Sequence, residues 1–103
     1  MEKIKITVPE STLKAWEGMD DWNQHGLRLE AIAAFFYSAA ETQESAKADF
    51  LELYEVLRAI NKAHEGIGYL TEFLHDLRST CWFKLRVKIL EYFGEDVLHE
   101  VNP

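Results

Sequence analysis

Lys3-Ile4-Lys5-Ile6-Thr7-Val8-Pro9-Glu10 lies near the start of the chain and alternates polar and apolar residues up to Pro9. In an extended backbone successive side chains point to opposite sides, so Ile4, Ile6 and Val8 share one face while Lys3, Lys5 and Thr7 share the other. Pro9 ends any ladder because it has no N–H to donate, and its fixed φ suits the start of a helix. Glu10, Ser11 and Thr12 then put an acid and capping side chains where a helix N-terminus favours them. A single strand is not stable alone. It must pair with a second chain or with another part of this one, and the choice of partner sets the architecture.

Outward from this stretch the hydrophobic periodicity predicts helices. Leu13, Trp16, Met19 and Trp22 recur three apart, which predicts a first helix over Glu10–Trp22. Asn23-Gln24-His25-Gly26 reads as a turn with Gly26 as a stop, followed by a second helix over Leu27–Thr42. That helix is apolar almost all round, through Ile32, Ala33, Phe35, Phe36, Ala39 and Ala40, and so belongs in a core or a dimer interface. Thr42-Gln43-Glu44-Ser45 is a polar break without Pro or Gly, read as a turn in preference to a continuing helix. Phe50, Leu53, Tyr54, Leu57 and Ile60 form the stripe of a third helix over Ala46–His64, closed by Gly66 and Gly68. A shorter helix over Tyr69–Leu77 presents Leu70, Phe73, Leu74 and Leu77. Phe83-Lys84-Leu85-Arg86-Val87-Lys88-Ile89 reads two ways. It alternates as a strand does, yet Trp82, Leu85, Ile89 and Tyr92 also make a helical stripe that Ser79 or Thr80 caps and Gly94 ends. Glu95–Val101 forms a last helical turn. The expected fold class is mainly α, a short N-terminal β-strand followed by four to five helices.

With 103 residues, 48% of them apolar, the chain has enough for one compact core and too much apolar content for disorder. Its net charge is −7, and the only basic island is Arg78, Lys84, Arg86 and Lys88, with no acid between them. An acidic whole argues against general coating of nucleic acid, although it leaves room for a small reading surface. Cys81 is the only cysteine, which rules out an intramolecular disulfide and fits a reducing, cytoplasmic setting. No apolar run reaches membrane-spanning length, so no membrane association is expected.

Residues 1–42 resemble the ribbon-helix-helix family of bacterial and phage DNA-binding proteins. The resemblance rests on the alternating strand Lys3–Val8, the Pro9-Glu10 step into a helix, the turn glycine Gly26, and Leu29-Glu30-Ala31-Ile32 opening the second helix. It implies a homodimer in which two strands form an antiparallel ribbon in the DNA major groove. Residues 1–42 would then be the dimerisation and DNA-binding part, and residues 43–103 a helical extension packed on it. The outward side chains of such a ribbon, here Lys3, Lys5 and Thr7, would read base edges. Arg28 is the basic residue available at the N-terminus of helix two for a phosphate. Leu29 stands where family members carry Ser, Thr or a basic residue, and Asp20-Asp21 put acid at the end of helix one.

The remaining candidates each have a plainer alternative. Arg78, Lys84, Arg86 and Lys88 are a second basic patch for phosphate or an acidic partner, or simply a solvated face. Glu72-x-x-His75 has the spacing of a di-iron helix, but that site needs a second such pair, and the sequence has none. His25, His64 and His99 show no metal-ligand spacing, and Cys81 has no motif supplying a base. No Gly-rich phosphate loop, nucleophile elbow or paired-carboxylate pattern occurs. The sequence therefore points to a protein that acts by binding, with no enzyme activity, cofactor, metal or small-molecule substrate expected. The aromatic residues exceed what one small core needs, so some should form a protein-binding patch, with Trp22 and Trp82 the choices. Two functions follow as expectations. One is a DNA-binding transcriptional regulator of the ribbon-helix-helix type, from a phage or mobile element. The other is an acidic helical protein that binds and inhibits another protein, similar in size and charge to anti-CRISPR proteins.

Overall fold

The computed structural model describes residues 2–19 and 24–101. They form α1 (Glu10–Glu17), α2 (His25–Ala39), α3 (Glu44–Ile67), α4 (Glu72–Tyr92) and α5 (Glu95–Val101). The expected N-terminal β-strand is absent, and with it the ribbon of the ribbon-helix-helix type; no strand occurs among the described residues. Residues 3–8 are extended, but they lie against their own chain. The Ile4 N–H donates to the Tyr92 carbonyl at 2.8 Å, and the Lys3 ammonium donates to the Glu91 carbonyl at 2.6 Å. The physical reason is the end of α4. The last carbonyls of a helix have no partner within it, so they accept from whatever donor passes. The predicted two-sidedness survives the change of partner. Val8 is buried, Ile4 and Ile6 pack against the core, and Lys3, Lys5 and Thr7 face solvent.

The second difference lies in the C-terminal half. The expected short helix and the ambiguous Phe83–Ile89 run are one continuous helix of 21 residues, α4. Thr71 caps it, its hydroxyl accepting from the Leu74 N–H at 3.2 Å. Thr80 sits inside the helix, its hydroxyl donating to the Asp76 carbonyl at 3.0 Å, and so caps nothing. The helix ends at Gly94, whose φ of 105° reverses the chain into α5. Between α3 and α4 the turn is made by Gly68 at φ 87°, its N–H donating to the His64 carbonyl at 2.8 Å.

Gly26 does not stop a helix. It lies in the first turn of α2, where a Cβ would come within 2.2 Å of Asn61 Oδ1 and 3.2 Å of Arg78 Nη1. Here glycine serves close approach: Asn61 of α3 donates from Nδ2 to the Gly26 carbonyl at 2.9 Å and to Glu30 Oε1 at 3.1 Å.

The core is centred on aromatic rings from α2, α3 and the junction between α4 and α5. Phe36 of α2 stacks on Phe50 of α3 at 5.7 Å, and both meet Phe93, at 4.8 and 5.8 Å from its ring. Leu29, Ile32, Leu57, Ile60, Leu85 and Ile89 fill the space around them, all fully buried. Burying each such side chain is worth about 1.5–3 kcal/mol. Trp16 anchors α1 edge-on to Phe35 at 5.4 Å. The shortest dimension of the molecule is 18 Å, about two helix layers at an axial spacing of about 8–10 Å.

Candidate functional site

The candidate site is the outer face of α4, and its origin is the alternation read above as strand-like. In a helix each residue advances about 100°, so a step of two is about 200° and a step of four about 40°. An apolar residue at every second position therefore makes a helix apolar on two opposed faces. The exposures show this directly. Leu85 and Ile89 are 0% exposed, while Phe83 and Val87, each two residues before one of them, are 65% and 42% exposed. The inner face continues through Cys81 and Tyr92 into the core, and the outer face continues through the exposed Phe73 and Leu90. Several large apolar side chains exposed along one helix make it the candidate interaction surface.

Beside this stripe a groove of about 430 Å³ opens between α3 and α4. Leu53, Val56, Leu77, Cys81, Phe83 and Val87 line it, and Asp49, Glu52, Lys84 and Lys88 carry its charge. The charged groups are ordered by one another. Lys88 Nζ lies 3.3 Å from Asp49 and 3.1 Å from Glu91, and the Tyr92 hydroxyl donates to Asp49 at 2.7 Å. The bond to Glu91, aided by Asp49, holds the Lys88 ammonium above the usual lysine pKa. The bond to Asp49 likewise raises the Tyr92 phenol. Burial pushes the Cys81 thiol up, since a thiolate is disfavoured away from water, while nearby Lys84 pulls the other way.

The basic residues 78–90 do not form one patch. Arg78 is buried at 5% exposure beside Gly26, and burial lowers its pKa. Lys84 is exposed at the groove, Arg86 lies over the Trp82 ring at 5.3 Å, and Lys88 is paired with acid. Trp82 is half-buried, and its Nε1 is enclosed without a hydrogen-bond partner among the described residues. Trp22 lies outside the described residues. Lys3, Lys5 and Thr7 sit on the extended segment strapped to the end of α4, whereas Arg28 lines a separate hollow with Trp16, Glu17 and Glu100. Glu72 and His75 are exposed on α4, and no group of three or more metal-binding side chains occurs among the described residues. No helix there is long and apolar enough to cross a membrane. Sequence reasoning did not single out Phe83, Val87 and Leu90 as a site. The signal was present: alternation inside a run that is also helical means two greasy faces.

Among the described residues, fold and site together define an all-α arrangement of five helices whose fourth is packed on one side and bare on the other. Compared with family models, curated proteins and solved structures, the chain matches none.

Proposed function

We propose that this chain works by binding protein through the outer face of α4 and its groove with α3, and carries out no chemistry. The observation that carries this is the exposure of Phe83 and Val87 opposite the fully buried Leu85 and Ile89. Leaving Phe73, Phe83, Val87 and Leu90 in water is unfavourable unless another surface covers them. Recognition would follow the helix-in-groove mode, in which anchors at helical spacing fill an apolar groove. The groove's mixed rim, acidic on α3 and basic on α4, suits a partner helix that carries both signs of charge. The net charge of −7 adds steering of the molecule as a whole toward basic surfaces. A reducing cytoplasm is the setting we assign, because its one thiol, Cys81, has no partner cysteine.

The test is a comparison of wild type with Phe83→Glu/Val87→Glu, both checked for equal helix content, as immobilised bait for lysate. A protein held by wild type should be identified, purified and titrated against both. The reading requires at least a tenfold weaker Kd for the variant, since two central apolar anchors each contribute about 1 kcal/mol or more. Equal affinity for both baits would refute it.

A further inference from the structure

We infer that the partner covering the outer face of α4 is a second copy of this chain, docked antiparallel; this rests on the binding role just assigned to that face. Two observations carry it, and a third sets how tight the pair can be. The first is spacing. Phe73, Thr80 and Val87 recur every seven residues, and so do Asp76, Phe83 and Leu90, offset from the first set by three. These are the a and d positions of a heptad seam, which packs against another seam of the same period. No other described helix covers this one, since Phe73, Phe83, Val87 and Leu90 are all exposed.

The second observation is the distribution of charge. The first half of the outer face carries Glu72 and Asp76, and the second half carries Lys84 and Arg86, all exposed. Glu91 interrupts the basic half but is neutralised within the chain by Lys88 at 3.1 Å. Two copies running antiparallel set acid against base at both ends. Two running parallel set acid against acid and base against base, which is destabilising. Antiparallel packing of the first heptad set on the second puts Phe73 against Leu90, Thr80 against Phe83, and Asp76 against Val87 of the second copy. Asp76 would then lie between Lys84 and Arg86 of that copy, which supplies the cations a carboxylate in an apolar seam requires.

The third observation is scale. A helix of 21 residues is about 31 Å long, and one such face falls short of the roughly 800 Å² per partner of a standard interface. The pair is therefore weak and concentration-dependent. The net charge of −7 on each copy opposes association, but salt screens it beyond about 8 Å at physiological ionic strength and leaves the close pairs of the seam.

Sedimentation velocity across the micromolar range tests this with four samples: wild type, Lys84→Glu/Arg86→Glu, Glu72→Lys/Asp76→Lys, and an equal mixture of the two charge variants. Circular dichroism establishes that all are equally helical. Expected are a reversible wild-type dimer, at least tenfold weaker association for each charge variant alone, and recovery to about the wild-type level in the mixture. A mixture binding far more tightly than wild type would mean parallel pairing and would overturn the orientation. A wild type that stays monomeric would overturn the second-copy assignment. Should that monomer still retain a protein that Phe83→Glu/Val87→Glu releases, the binding role survives with a different occupant; with neither dimer nor retained protein, both fall.

Discussion

Truncating the Phe83–Ile89 run one apolar residue at a time should give a saw-tooth of stability. Leu85 and Ile89 are fully buried, so Leu85→Ala and Ile89→Ala remove packed atoms and leave cavities, at a cost of about 2–5 kcal/mol each. Phe83 is 65% exposed and keeps only about a third of the 1.5–3 kcal/mol that full burial gives, so Phe83→Ala loses about 0.5–1 kcal/mol. Alanine regains about 0.5 kcal/mol of that through its higher helix propensity, and the net change is near zero. Val87, 42% exposed, keeps rather more than half of that burial, so Val87→Ala loses about 0.9–1.7 kcal/mol before helix propensity and about 0.4–1.2 kcal/mol net, still well below its buried neighbours. Urea unfolding followed by circular dichroism, at protein concentrations low enough to keep the chain monomeric, measures all four. The slope of free energy against urea should be unchanged, so that midpoints alone report stability. Equal losses at all four positions, or larger losses at Phe83 and Val87 than at their neighbours, would refute the two-faced helix.

Gly26→Ala should destabilise by about 1–2 kcal/mol, because its Cβ meets Asn61 Oδ1 at 2.2 Å and displaces the amide that bonds Gly26 and Glu30. In an Asn61→Ala background the same change should be neutral or stabilising, and a double-mutant cycle with no coupling would show the contact to be unimportant. The Lys88 and Tyr92 pKa values lie above their ordinary 10.5 and 10.0, so their bonds to Asp49 and Glu91 stabilise fully below about pH 10 and are lost as pH rises through the higher folded values. Asp49→Asn should therefore move the alkaline unfolding midpoint to lower pH; an unchanged midpoint would contradict this. Cys81, buried and with its pKa raised by that burial, should react with a thiol reagent slowly in the native protein and quickly in urea. Immediate reaction of the native thiol would show that α4 is not seated as described.

Local chemistry made some of this legible. The stripe Phe50, Leu53, Leu57 and Ile60 is buried as its spacing implies, and Gly68 and Gly94 do reverse the chain at positive φ. The inward and outward sets of residues 3–8 could also be read, because alternation depends only on extended backbone. Their partner could not. Two chains' strands and one helix's free carbonyls satisfy the same N–H groups, and nothing in Lys3–Val8 distinguishes them. Gly26 misled for a related reason: its role is set by Asn61 and Arg78, far along the chain, whereas a turn signal is judged from its neighbours alone. At Phe83–Ile89 the two periodicities truly coincide, and length decided in favour of the helix once Thr71, eight residues upstream of Ser79, proved to be its cap. The outer face was hidden by the same coincidence, since a reader weighing strand against helix does not ask what a helix with that pattern would leave bare.

The strap from residues 3–8 to the end of α4 closes a loop of 88 residues. Closing so long a loop is entropically slow to reward, and contacts of such separation form late. During synthesis the amino-terminal segment must wait, with Ile4, Ile6 and Val8 uncovered, until Glu91 and Tyr92 have left the ribosome. Once the last turn of α4 is in place, the clasp fixes the segment to it. A truncated product ending before Tyr92 would keep that greasy segment exposed, a ready signal for proteases and chaperones.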